Sequence, residues 1–77
     1  MYILGDIGNS ETKVFSINSQ KKIIKHINFS TKTINNKILV TKFNSLIKDF
    51  SKVEKVLFCS VVPKTFKLIK IFFFEKN

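Results

Sequence analysis

The stretch Val56-Leu57-Phe58-Cys59-Ser60-Val61-Val62-Pro63 decides the fold class. Residues 56–62 are uncharged, mostly apolar and rich in β-branched side chains. That is how a strand buried on both faces reads, typically a central strand with a parallel neighbour. Pro63 stops the strand and suits the first turn of a helix, because its missing N–H would be unpaired there anyway. Phe66, Ile69 and Phe73 follow at helical spacing, with Leu68 and Phe72 four apart, which predicts a helix over about residues 63–73.

Upstream, Leu39, Phe43, Leu46, Ile47 and Phe50 fall on one face of a 3.6-residue period, with Lys42, Asn44, Ser45, Lys48 and Asp49 on the other. This predicts a helix that ends at Ser51-Lys52, after the polar connection of residues 30–37. Three strands are expected before it. Tyr2-Ile3-Leu4, closing on Gly5-Asp6, reads as a buried strand. Residues 13–18 read as a second strand, with Phe15 and Ile17 on one face. Ile23, Ile27 and Phe29 share one parity and Ile24 takes the other, giving a third strand to about Phe29. Turn chemistry separates them at residues 7–12 and at Asn18-Ser19-Gln20-Lys21, so the three strands should form an antiparallel meander. The order is β-β-β-α-β-α in a mixed sheet. The helix after the meander supplies the crossover that parallel pairing with residues 56–62 requires.

The chain has 77 residues and a formal net charge of +9. A domain usually runs to about 100–150 residues, so a multidomain enzyme is excluded and the stability margin is expected to be thin. One cysteine and one histidine exclude an internal disulfide framework and an ordinary zinc module. The longest apolar stretch is far short of the ~18 residues of a membrane span. Met1-Tyr2-Ile3-Leu4-Gly5-Asp6 has no basic lead and meets an acid early, unlike a signal peptide, so a reducing, cytoplasmic setting is expected. All the positive charge is lysine, spread along the chain, and arginine and alanine are absent. That bias fits an AT-rich coding sequence. A nucleic-acid face normally uses arginine for bidentate contacts, so the lysines read mainly as a solvated surface.

The segment that carries chemistry is Asp6-Ile7-Gly8-Asn9-Ser10-Glu11-Thr12-Lys13. Gly8 would let backbone N–H groups approach phosphate oxygens and supply unusual dihedral angles. Asn9 and Ser10 can donate hydrogen bonds to those oxygens, and Lys13 would offset their charge. Asp6, at a strand end, can hold magnesium directly or through water, because hard cations prefer carboxylate oxygen. Phosphoryl transfer is catalysed largely by such positioning and electrostatics. Taken alone, the segment is equally an ordinary hairpin turn. No residue reads as a catalytic base. His26 reads as an exposed or satisfied strand histidine, Asp49 and Glu54 as surface charges, and Cys59 as an inert thiol in a buried strand. Glu11 reads as a turn residue, with a role near a metal left open.

Asp6-Ile7-Gly8-Asn9-Ser10 near the start, with Ser60-Val61-Val62-Pro63 some fifty residues later, resembles the type III pantothenate kinases of the actin-like ATPase superfamily. The resemblance covers essentially the whole chain but only the first part of the family's length. It implies an α/β fold, the start of a ribonuclease-H-like N-terminal domain, with residues 13–18 beside residues 2–6 and residues 56–62 parallel on the other side. Asp6, Ile7, Gly8, Asn9, Ser10, Glu11, Thr12 and Lys13 would form the ATP phosphate loop, with Asp6 at magnesium. The implied reaction is ATP-dependent phosphorylation of pantothenate to 4'-phosphopantothenate in coenzyme A biosynthesis, by a homodimer using magnesium and a monovalent cation such as potassium. The family's Gly-x-Asp-Arg motif with its general base, and its second phosphate loop, have no counterpart here. Residues 1–77 would then be a truncated ATP-phosphate-binding half-domain, lacking the C-terminal domain and inactive alone. Two other classes stay open: a non-catalytic partner-binding module, with Phe72-Phe73-Phe74 and an uncovered sheet as its interface, and a small lysine-rich nucleic-acid binder.

Overall fold

A computed structural model describes residues 1–75. The elements are β1 (Tyr2–Ile7), β2 (Glu11–Ile17), β3 (Ile23–Ser30), α1 (Asn36–Leu46), a single 3-10 turn (Phe50–Lys52), β4 (Lys55–Ser60) and α2 (Pro63–Glu75). The expected β-β-β-α-β-α order holds. The sheet order is β3-β2-β1-β4. β2 runs antiparallel to both β1 and β3, while β4 lies parallel to β1 after the α1 crossover.

Strand side chains alternate between the two faces of a sheet. The register therefore sorts the residues into rows. On the helix-covered face, Ile7 aligns with Thr12, Phe29 and Ser60; Gly5 with Val14, Ile27 and Phe58; and Ile3 with Ser16, Lys25 and Val56. Ile3, Ile7, Val14 and Phe29 are buried there, under Leu39, Phe43, Leu46 and Ile47 from α1 and its C-cap and Ile69 and Phe72 from α2. Phe43 is the hub: its ring centroid lies 5.2 Å from that of Phe72, 4.9 Å from Phe73 and 6.3 Å from Phe29. Phe72 and Phe73 thus find their partner surface within the chain, whereas Phe74 is 81% exposed.

Local chemistry fixes the boundaries. Asn35 caps α1, its side-chain oxygen accepting from the Ile38 N–H at 2.9 Å. We expect Asn35→Ala to cost about 1 kcal/mol of stability, read from the midpoint of a urea titration. In the second turn, the Asn18 side chain accepts from the Gln20 and Lys22 amides, and Lys21 is held at φ 64°. Pro63 opens α2 as expected.

The turn expected over residues 7–12 is shorter, with Ile7 in β1 and Glu11 and Thr12 in β2, and three further expectations need correction. The first helix ends at Leu46, not near Phe50. Ile47 turns extended, and Asp49 accepts from both the amide and the hydroxyl of Ser51, so side-chain bonding to nearby backbone captures the chain before another helical turn forms. Those bonds hold the Asp49 carboxyl below its ordinary pKa. Their contribution is present above the ordinary carboxylate range and fades as pH falls through the depressed value.

The second correction concerns β4. It is the edge strand and not a central one: Leu57 is 59% exposed and Cys59 is exposed. Helices cover only one face of this strand, so only Val56 and Phe58 are half-buried. The third concerns β3. An irregularity in register between Ser16 and Ile17 puts Ile23 opposite Ile17, on the uncovered face, where it is 61% exposed. A one-residue slip moves every later side chain to the other face, so Ile23 parts company with Ile27 and Phe29.

No helix among the described residues is long and apolar enough to cross a membrane.

Candidate functional site: the loop after the first strand

Residues 8–10 join β1 to β2 at the carboxyl end of β1. Because β4 is parallel to β1, its carboxyl end lies at the same place, with Ile7 level with Ser60. The Val61 N–H donates to the Ile7 carbonyl at 3.1 Å. Asp6-Ile7-Gly8-Asn9-Ser10 and Ser60-Val61-Val62-Pro63, far apart in sequence, are therefore in direct contact. Ser60 also shapes the strand-to-helix turn, its hydroxyl oxygen accepting from the Val62 N–H at 2.9 Å. Ligands of open α/β sheets bind in the crevice outside the carboxyl ends of parallel strands, which is where this pair of motifs lies.

The loop is tied at two points. The Gly8 N–H donates to the Glu11 carbonyl at 3.0 Å, and the Thr31 N–H donates to the Ser10 carbonyl at 3.0 Å. Gly8 does not take a left-handed conformation, contrary to its expected use, since no glycine here has positive φ. Its value is close approach: a Cβ at Gly8 would sit 3.1 Å from the Glu11 carbonyl oxygen.

The residues proposed from sequence divide by face. Asp6, Asn9, Ser10, Glu11 and Lys13 are exposed, whereas Ile7 and Thr12 are buried. Ile7 belongs to the core, and the Thr12 hydroxyl is 2.7 Å from that of Thr31. These two side chains therefore face away from any ligand at the loop. Asp6 and Lys13 are cross-strand partners on the uncovered face, level with Asn28 and Cys59. The Lys13 ammonium lies 3.9 Å from Glu11, and both side chains are about half exposed. Such a surface pair is weak and leaves the lysine free to serve an anion. Asn28 donates to Glu11 at 3.3 Å and was missed from sequence. The register of β3 against β2 is what brings it to the site, and that register is not readable from the residues alone.

Below this polar row, the uncovered face turns apolar. Leu4, Phe15 and Leu57 share the next row with His26, whose ring centroid is 6.0 Å from that of Phe15. His26 is exposed, as expected. A groove of about 670 Å³ lined by Tyr2, Leu4, Ile17, Lys21, Lys55 and Leu57 lies at the far end of this face, away from the loop. Glu54 also lies at that end and pairs with the N-terminal ammonium at 3.1 Å. Among the described residues, no group of three or more His, Cys, Asp or Glu side chains could hold a metal ion.

No protein-family model matches the chain. A search of characterised proteins does find a relative: 48% of residues are identical over 73 positions to the type III pantothenate kinase of Pelagibacter ubique (strain HTCC1062). This chain resembles a type III pantothenate kinase. The match takes in 95% of this chain, so the likeness extends well beyond the two short motifs. The chain spans 29% of that pantothenate kinase's length. Its mixed four-stranded sheet with two helices is compatible with the N-terminal part of an actin-like ATPase fold.

Proposed function

We infer that residues 1–77 form the ATP-phosphate-binding half-domain of a pantothenate kinase acting in coenzyme A biosynthesis. One observation carries this reading: the two motifs meet at the carboxyl ends of the parallel pair β1 and β4. The similarity to a pantothenate kinase supports it. The substrates of the complete enzyme would be ATP and pantothenate.

Each residue then has a task. Backbone N–H groups of residues 9–11, with the side chains of Asn9 and Ser10, would face the phosphates, the Gly8 N–H being taken by the Glu11 carbonyl. Lys13 offsets their charge. The Asp6 side chain makes no hydrogen bond or ion pair with another described residue, so its carboxylate is free for a cation. The donor set fits magnesium, which is commonly held by one or two carboxylates, water and the phosphates themselves rather than by a protein cage. Bound there, magnesium would neutralise phosphate charge. A potassium ion, a homodimer and a cytoplasmic location belong to the same reading. Of the loop's two carboxylates, Asp6 is assigned to the cation and Glu11 is engaged by Lys13 and Asn28, so a base for the acceptor hydroxyl would come from the remainder of such an enzyme.

Supplying that remainder is the test. The chain is co-expressed with the portion of the Pelagibacter ubique relative that it does not span, and the pair is assayed for ATP-dependent phosphorylation of pantothenate. Activity from the pair and none from either part is expected. A folded, associated pair without activity would contradict the reading. The uncovered apolar row Leu4, Phe15 and Leu57 favours a second reading, a non-catalytic module docking on a partner chain; stable association without ATP binding would support it. Binding to nucleic acid is disfavoured, because the lysines are dispersed and arginine is absent.

A further inference from the structure

Four polar side chains are buried among the described residues, Thr12, Ser16, Thr31 and Thr65, and the pair Thr12 and Thr31 lies beside the loop without a part in its assigned chemistry. Thr12 is fully buried and is level with Ile7 and Phe29. Thr31, just past β3, is also buried, and the two hydroxyl oxygens are 2.7 Å apart. Valine has nearly the shape of threonine and would fill either position without needing a hydrogen-bond partner. A hydroxyl in an apolar layer is unfavourable unless it is bonded. Packing alone therefore gives no reason for two threonines here.

The backbone of Thr31 supplies one. Its N–H donates to the Ser10 carbonyl at 3.0 Å. The hydroxyl bond to Thr12 anchors the side chain of Thr31 to β2, and the amide of the same residue grips the loop. A peptide group is planar and trans, so a carbonyl turned toward Thr31 aims the N–H of the same unit, that of Glu11, in the opposite direction. One loop donor is thereby oriented before any ligand arrives. Pre-organised donors are the main way a protein stabilises phosphate charge.

We propose that Thr31, anchored by Thr12, is a positioning residue for the loop, setting the plane of the Ser10–Glu11 peptide for a magnesium–nucleoside triphosphate. The ligand class rests on the reading of the loop given above; the positioning of the loop does not.

The test uses the full chain and three variants: Thr31→Val, Thr31→Ser and the double variant Thr12→Val with Thr31→Val. Backbone order parameters at Ser10 and Glu11, thermal midpoints and Mg-ATP affinity are measured for each. With Thr31→Val, the two order parameters should fall from the rigid range near about 0.85 toward the flexible range below about 0.6. Mg-ATP binding should weaken about tenfold, the size expected for losing a well-formed hydrogen bond. Thr31→Ser should restore both. The double variant removes both hydroxyls and leaves none unpaired, so its midpoint should return toward the parent while the loop stays loose and binding stays weak. A double variant with parental loop order would overturn the proposal and make the pair a core filler. If Thr31→Val fails to fold, the serine and double variants carry the comparison. If the parent itself does not bind Mg-ATP, the phosphate reading fails, and the order parameters alone decide the positioning role.

Discussion

A Gly5→Ala variant should unfold about 10–20 °C below the parent chain. Gly5 sits in β1 level with Phe58 of β4, and the Phe58 ring lies across it. A Cβ at Gly5 would stand 2.0 Å from Phe58 Cε2 and 2.3 Å from Cδ2, which no real contact tolerates. The ring cannot swing away without loss, because it packs on Phe73 with centroids 6.4 Å apart. Overpacking of this kind costs about 2–3 kcal/mol. A chain of this length has only about 4–12 kcal/mol to lose, and each kcal/mol is worth roughly 4–8 °C in a domain this small. Thermal melts followed by circular dichroism give the shift. In a Phe58→Ala background the same Gly5→Ala change should cost far less, because the atoms that clash are gone. A melt within about 2 °C of the parent for Gly5→Ala alone would mean that the ring does not lie across the glycine.

The opposite pattern is expected one residue along the strand. Asp6 is exposed and bonds to no other described side chain, so Asp6→Asn should leave the midpoint within about 0.5 kcal/mol of the parent, the usual range for a surface change. Mg-ATP affinity should nonetheless fall at least about tenfold, since a charge-assisted ligand contact is worth roughly 1.5–3 kcal/mol. Calorimetric titration with and without magnesium separates the causes. The parent should bind ATP more tightly with magnesium present, and the variant should lose that difference. Unchanged magnesium dependence in Asp6→Asn would remove the aspartate from the site. Gly5 and Asp6 are adjacent on one strand but point to opposite faces. The first change should damage the fold, and the second should damage only binding.

That alternation also explains what could be read from the residues. Element order and pairing direction followed from local patterns: three short apolar runs with turn residues between them, a helical period, then a β-branched run that needs a crossover to lie parallel. Asp6-Ile7-Gly8-Asn9-Ser10 stands out in the sequence because its polar and glycine residues are contiguous. Register was not legible. Asn28 reaches Glu11, and Thr31 reaches both Thr12 and Ser10, only through the pairing of β3 with β2. Ile23 left the parity of Ile27 and Phe29 because of a local irregularity that no residue type announces. Phe50 obeyed the helical period yet lies in a 3-10 turn, its ring partly buried against the core. The apolar run of residues 56–62 predicted cover on two sides, and the helices provide it on one.

Binding of the phosphates of Mg-ATP by residues 6–13 is read most directly by an amide-resolved magnetic resonance titration of the full chain. Saturable shifts are expected at Gly8, Asn9, Ser10, Glu11 and Lys13, with Val61 following through its bond to Ile7, and little change at Lys21 or Leu57. Shifts centred on the groove of Tyr2, Ile17 and Lys55, or no saturable shift at the loop, would contradict phosphate binding there.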